Sequence, residues 1–142
     1  MKKIILTIIL FNISIIHAQI NLSYTDHLAI GVKNIDSTGE FYKNILELKE
    51  LENPSANQRW FDFGDKFELH LVEGIHMEKK IKTNHIGLTV SSMTDMMELL
   101  KKKNINFESW NGKRNTFELR WDGVKQIYFQ DPEGNWIEIN QK

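Results

Sequence analysis

Two stretches of the chain alternate strictly between aliphatic residues and small or polar ones: His27-Leu28-Ala29-Ile30-Gly31-Val32 and His85-Ile86-Gly87-Leu88-Thr89-Val90. A period of two marks a strand with one buried face, so Leu28, Ile30 and Val32, and again Ile86, Leu88 and Val90, point to an interior. Helical spacing follows each strand. Ser37-Thr38-Gly39-Glu40 offers a Ser-x-x-Glu start ahead of Phe41, Ile45 and Leu48. Met93, Met96, Met97 and Leu100 mark the buried stripe of a helix predicted over residues 94–103, with Lys101-Lys102-Lys103 as its solvated end. After the turn Asn53-Pro54-Ser55, residues 59–63 and 67–73 read as strands joined by Gly64-Asp65. In the second half the later strands are predicted at residues 107–110, 126–130 and 136–140. The last two flank the turn Asp131-Pro132-Glu133-Gly134-Asn135. Residues 112–121 read as a loop carrying a short strand near 117–121.

This order of signals occurs twice because the chain repeats itself. Asp26-His27-Leu28-Ala29-Ile30-Gly31-Val32 aligns with Asn84-His85-Ile86-Gly87-Leu88-Thr89-Val90 at an offset of 58, and Gly64-Asp65-Lys66-Phe67-Glu68-Leu69 with Gly134-Asn135-Trp136-Ile137-Glu138-Ile139 at an offset of 70. The expectation is an α+β domain made of two βαβββ modules, about residues 24–76 and 82–141.

Composition narrows the function. At 142 residues, with 41% hydrophobic and 26% charged content, the chain fits one domain and excludes a two-lobed nucleotide-binding enzyme. Eighteen basic against 19 acidic residues leave no electrostatic footprint for nucleic acid or an anionic membrane. The absence of cysteine excludes a disulfide framework, a thiolate nucleophile and a Cys-ligated zinc. At the N-terminus Lys2 and Lys3 precede a mostly apolar run to Ile16, shorter than the roughly 20 residues that span a bilayer, and His17-Ala18-Gln19 follows. This reads as a signal peptide over residues 1–18. Its removal leaves 124 residues with 16 basic and 19 acidic groups, an exported protein, periplasmic or extracellular, with no membrane attachment after cleavage.

Strand parity brings out the chemistry. Opposite the aliphatic face of each opening strand stand a histidine and then small or polar residues: His27, Ala29 and Gly31, and His85, Gly87 and Thr89. On the later strands Glu68 and His70 oppose Phe67, Leu69 and Leu71, while Glu138 and Asn140 oppose Ile137 and Ile139. Each half therefore offers one histidine and one glutamate to a common cavity. Two imidazoles and two carboxylates suit a divalent ion (Zn, Ni, Co, Mn or Fe) with positions left for water or substrate. Such a centre polarises a carbonyl oxygen while a carboxylate, Glu68 or Glu138, moves a proton at the adjacent carbon. Arg59, Trp60, Arg114, Arg120 and Trp121 have the chemistry to stack on a flat ligand or fork onto an anion, and Arg59, Trp60 and Arg120 are the substrate-pocket candidates.

The paired modules, with the segments at Asp26-His27, at Asn84-His85 and from Asp131 to Ile139, resemble the vicinal oxygen chelate superfamily over essentially the whole mature chain. That superfamily includes glyoxalase I, bleomycin-resistance proteins, fosfomycin-resistance enzymes, methylmalonyl-CoA epimerase and extradiol dioxygenases. The resemblance implies a U-shaped mixed sheet around a central metal or ligand cavity, often completed or stabilised by homodimerisation. It places metal ligands at His27, His85 and Glu138, with Glu68 fourth and His70 as its rival two residues on. The implied function is an exported, metal-dependent lyase or isomerase near the glyoxalase I branch. Export would separate it from cytosolic glutathione adducts and coenzyme A thioesters, which favours another small carbonyl or oxygenated substrate. The alternatives are a metal-free, ligand-sequestering protein of the bleomycin-resistance type and an Fe(II) extradiol-type dioxygenase.

Overall fold

Residue pairing in the computed structural model, which describes residues 25–74 and 80–142, builds the two halves by the same rules. The signal segment, with His17, and the loop residue His76 lie outside the described residues. The first module runs β1 (His27–Val32), α1 (Ile35–Asn44), β2 (Lys49–Leu51), β3 (Gln58–Asp62) and β4 (Glu68–Glu73). The second runs β5 (His85–Val90), α2 (Met93–Lys102), β6 (Phe107–Glu108), β7 (Glu118–Leu119), β8 (Lys125–Gln130) and β9 (Trp136–Gln141). Each makes its own mixed sheet, in the orders β1-β4-β3-β2 and β5-β9-β8-β6, and β7 also pairs with β8. In each sheet the opening strand is parallel to the last, and the later strands pair antiparallel. Within one chain the U-shaped sheet of the resemblance is thus two sheets. A cleft of about 210 Å3 separates β1 from the start of β5 and is lined by Leu28, Ala29, Gly31, His85 and Trp136 among others.

Local chemistry sets the helix starts. The first helix begins at Ile35, not at a Ser37 cap. Asn34 is extended, and its side chain accepts a hydrogen bond from the Ser37 amide at 2.9 Å. Asparagine caps as well as serine, so the earlier residue takes the role and Ser37 falls within the first turn. Ser92 caps α2 in the same way, accepting from the Asp95 amide at 3.2 Å. Asn34 and Ser92 are 58 residues apart, the spacing of His27 and His85.

The ladders correct the repeat further along. Ala29 pairs with His70 in the first module and Gly87 with Glu138 in the second. The last strands therefore superpose at an offset of 68, two residues away from the sequence match of Gly64 with Gly134. Glu68 lines up with Trp136, and His70 with Glu138. The similar turn residues favour the wrong register, because a shift of two residues preserves the facing of every side chain.

The aliphatic strand faces and both helices bury into one core. Phe41, Tyr42, Phe61, Leu69, Leu71, Met93, Leu100, Phe129, Ile137 and Ile139 are all within it, so both modules contribute. Full burial of each large apolar side chain is worth about 1.5–3 kcal/mol. The turn before β9 also joins the halves: Glu133 Oε1 accepts from the Lys33 and Asn34 amides at 2.8 and 2.9 Å, at the entry to α1.

Candidate functional site

The polar sheet faces carry the candidate residues in two clusters. In the second module His85 stands at the start of β5, and its Nδ1 is held against the backbone carbonyl of Lys82 at 2.8 Å. That contact orients the ring so that Nε2 lies 3.1 Å from Glu138 Oε2 on the neighbouring strand. A Cβ at Gly87 would stand 4.0 Å from Glu138 Oε1, an ordinary contact distance, so the small residue leaves open space beside the pair without being required by it.

Glu138 is buried and held at both oxygens. Tyr128, directly across the β8–β9 ladder, donates its phenol proton to Oε2, and the Asn140 amide donates to Oε1. Gln126 in turn donates to Asn140 Oδ1 at 3.4 Å. Burial, reinforced by the bond to Glu138, pushes the Tyr128 phenol well above the usual tyrosine range. Trp110 meets the Tyr128 ring edge-on at 5.5 Å, and the Lys82 ammonium lies 4.8 Å from the centre of the Trp136 ring. Arg120 forks onto Asp122, which holds the Asp122 carboxyl down at about 2; the charge of Glu138 also favours the guanidinium.

The first module's cluster has a different chemistry on the same plan. Three rings stack in series, Trp60 on His70 at 4.2 Å and His70 on His27 at 4.3 Å. Asp26 Oδ2 lies 2.7 Å from His27 Nδ1, and Glu68 Oε2 lies 2.8 Å from His70 Nε2. Glu68 is at the strand's first position, opposite His27 in the ladder.

The structure groups His27, Glu68 and His70 together, and His85 with Glu138, without bringing the two groups into contact. Among the described residues no three His, Asp or Glu side chains are placed to hold a metal ion. The donor types fit a divalent ion, and each module supplies part of a set. Of the pocket candidates, Trp60 lies on the His70 face. Arg59 does not, since adjacent strand residues face oppositely. Its guanidinium passes beside Gly39 of α1 and pairs with Glu50 at 2.6 Å and Glu40 at 3.0 Å, a bracing role between helix and sheet. Arg120 is near the Glu138 cluster but engaged with Asp122. Trp121, 95% exposed, is at the tip of the β7–β8 hairpin. Arg114 bridges to Glu108 and lines a cavity of about 460 Å3 with Tyr128 and Trp136.

Sequence reasoning leaves the roles of Tyr128, Gln126 and Lys82 unassigned. The first two were within reach: pairing back from the turn at 131–135 sets Tyr128 opposite Glu138 and Gln126 opposite Asn140. The Lys82 contacts depend on loop geometry that no pattern encodes.

Comparison with known proteins agrees with this architecture. The uncharacterized protein YwbC of Bacillus subtilis (strain 168) is 25% identical over 126 residues, covering 82% of this chain and 96% of that protein. Glyoxylase I 4 of Arabidopsis thaliana is 26% identical over 130 residues, covering 84% of this chain and 71% of that one. The crystal structure of the fosfomycin resistance protein FosX from Listeria monocytogenes superposes with a TM-score of 0.70 at 21% identity, covering 86% and 95% of the two chains, and shares the fold. The family model of the Glyoxalase/Bleomycin resistance protein/Dioxygenase superfamily matches residues 24–139, both modules from first strand to last. The chain therefore belongs to that superfamily.

Proposed function

We propose that the protein is an exported, divalent-metal-dependent lyase or isomerase acting on a small carbonyl or oxygenated substrate. The observation that carries the reading is the His85–Glu138 pair. One imidazole nitrogen is committed to the Lys82 carbonyl and the other is directed at a buried carboxylate, the arrangement by which an outer hydrogen bond fixes a ligating histidine. His27 and either Glu68 or His70 would complete the set. A bound divalent ion would supply polarisation of a substrate oxygen.

The residues of the chain divide the remaining work. Glu138 is restrained at both oxygens by Tyr128 and Asn140, which suits a fixed donor. Glu68 is partly exposed and held by His70 alone, so it is better placed to accept a proton from a bound substrate. Because the two clusters stay apart within one chain, the complete set forms when a second copy sets its first module against the His85–Glu138 module. Export rests on the N-terminal sequence, and the similarity to Glyoxylase I 4 supports lyase chemistry.

The test is metal uptake by mixed variants. His27→Ala and His85→Ala should each lose about one metal per chain, and equal amounts unfolded and refolded together should regain about a quarter of the native content, because about half of the dimers are then mixed and one of the two sites in each is intact. Native protein that stays empty with Zn, Ni, Co, Mn and Fe(II) would leave the ligand-sequestering reading, and oxygen uptake by the iron form would select the dioxygenase.

A further inference from the structure

Two of the chain's three arginines are already engaged: Arg59 pairs with Glu40 and Glu50, and Arg120 with Asp122. Arg114 is not. Its partner across the bridge, Glu108, gives its carboxylate to the Lys82 ammonium, which also bonds the Ser109 and Trp110 carbonyls at 3.1 and 3.0 Å. Among the described residues no carboxylate pairs with the Arg114 guanidinium, and it is the only cation lining the cavity of about 460 Å3. That cavity follows from the shortness of β6. Only Phe107 and Glu108 pair with β8, so Gln130 and Asp131 continue beyond the reach of that strand. The buried rings of Phe41, Phe107, Tyr128 and Phe129 floor the space, and the partly exposed Trp136 forms a side. Its two carboxylates are committed, Glu108 to Lys82 and Asp131 to four donors from Tyr42, Glu133 and Asn135. Neither His85 nor Glu138 lines it.

We infer that this cavity is a second ligand site, separate from the His85–Glu138 cluster and independent of any metal, and that it takes a small aromatic carboxylate with Arg114 as the anchor of its anionic end. The floor selects the ring. Aromatic side chains meet a flat apolar ring edge-on or offset, and the volume lies in the range of sites for small organic ligands. The guanidinium selects the anion, because its planar fork of N–H donors matches the two oxygens of a carboxylate. Binding there breaks no ion pair, whereas Arg59 and Arg120 would each have to give up a carboxylate first. The other polar side chains on the rim carry no charge: Asn106 is an amide, and Gln130 already donates to the Gly134 carbonyl at 2.8 Å. An aromatic acid therefore has both of its ends matched, while its neutral amide keeps the ring contact and loses the ion pair.

The experiment is an NMR titration of the full chain with phenylacetate in EDTA, which keeps metal coordination out of the result, beside the neutral phenylacetamide and the ringless anion acetate. Phenylacetate should bind with a dissociation constant of about 1 mM or tighter, at least fivefold tighter than either comparator, with amide shifts centred on residues 105–108 and 128–136. Arg114→Gln should weaken phenylacetate at least fivefold and phenylacetamide less than twofold. Asn106→Trp, which fills the cavity from its exposed rim, should lose both. His85→Ala should bind phenylacetate within twofold of the native protein. Equal affinity for acid and amide, undiminished binding in Arg114→Gln or in Asn106→Trp, or no binding by the native protein would each overturn the inference. Loss of binding in His85→Ala would also overturn it, by placing the ligand at the other cluster. Circular dichroism melts separate loss of the site from loss of the fold, and the metal reading stands or falls on its own test.

Discussion

The phenol of Tyr42 donates a hydrogen bond to Asp131 Oδ2 at 3.1 Å, joining the helix of the first module to the β8–β9 turn of the second. Tyr42 is fully buried and Asp131 nearly so. Asp131 also accepts from the Asn135 side chain on the same oxygen and from the Glu133 and Asn135 amides on the other. Tyr42→Phe removes one of these donors without opening a cavity. Loss of a buried hydrogen bond to a charged group costs about 1.5–3 kcal/mol; with the other donors left in place the lower end is expected, a fall of roughly 5 °C in the melting midpoint. A thermal melt measures this, and an unchanged midpoint would mean that the joint carries no load.

The same aspartate should give stability an unusual pH dependence. Burial raises the Asp131 carboxyl above its ordinary 3.8 despite the hydrogen bonds from Asn135, Tyr42 and Glu133 that favour its charged form. The unfolded chain therefore releases this proton at lower pH than the folded one. Between the two values stability from this group declines as pH rises, with a slope of at most about 1.4 kcal/mol per pH unit, and above the folded value it is constant. Asp131→Asn removes the titration. Denaturant unfolding of both proteins between pH 4 and 7 should show the native protein gaining on the variant as pH falls; a gap independent of pH would show that Asp131 titrates alike folded and unfolded.

Much of this architecture was legible because both modules open with the strongest pattern a sequence can show, an alternating strand followed by a capped helix. The equivalence of His27 and His85, the buried stripe of Met93, Met96 and Leu100, and the β8–β9 hairpin all follow from periodicity. β2 did not, since Lys49-Glu50-Leu51 is three residues long and two of them are charged. The placing of Glu68 opposite Glu138 misled for a physical reason. A two-residue shift keeps both on the polar face, and only the hydrogen-bonded ladder separates the two registers. Arg59 and Trp60 are neighbours in sequence and were grouped as pocket residues, although parity sends them to opposite faces of β3.

Arg59 should accordingly matter for stability and leave ligand binding alone. Its guanidinium reaches Glu50, Glu40 and the Asp36 carbonyl, and the bond to Glu50 holds that carboxyl below its usual range. Arg59→Ala leaves Glu50 unpaired on that side; the network is partly solvated, so about 1–2 kcal/mol is expected. Gly39→Ala should show part of the same loss, because a Cβ there would come within 2.2 Å of the guanidinium and displace it. Under the proposed function both variants should keep the metal content and the metal affinity of the native protein. A change in either of those with an unaltered melting point would return Arg59 to the ligand site.

Tyr128 offers a readout of the Glu138 cluster that needs no substrate. Its phenol is raised by burial first and by the bond to Glu138 second; the Tyr42 phenol is raised by burial and by Asp131. Both should remain neutral through the range where free tyrosine ionises, near pH 10. An alkaline titration followed by phenolate absorbance should show these two phenols appearing only as the chain unfolds, and Tyr128→Phe should reduce that late step by one. The variant also frees Glu138 Oε2 from its donor while Asn140 still holds Oε1. The carboxylate is then less restrained, and under the proposed function Zn(II) affinity should fall severalfold with the folding stability changed by about 1 kcal/mol or less, since a partly compensated hydrogen bond is lost. Affinity equal to the native protein's would mean that Tyr128 fills space beside Glu138 without positioning it.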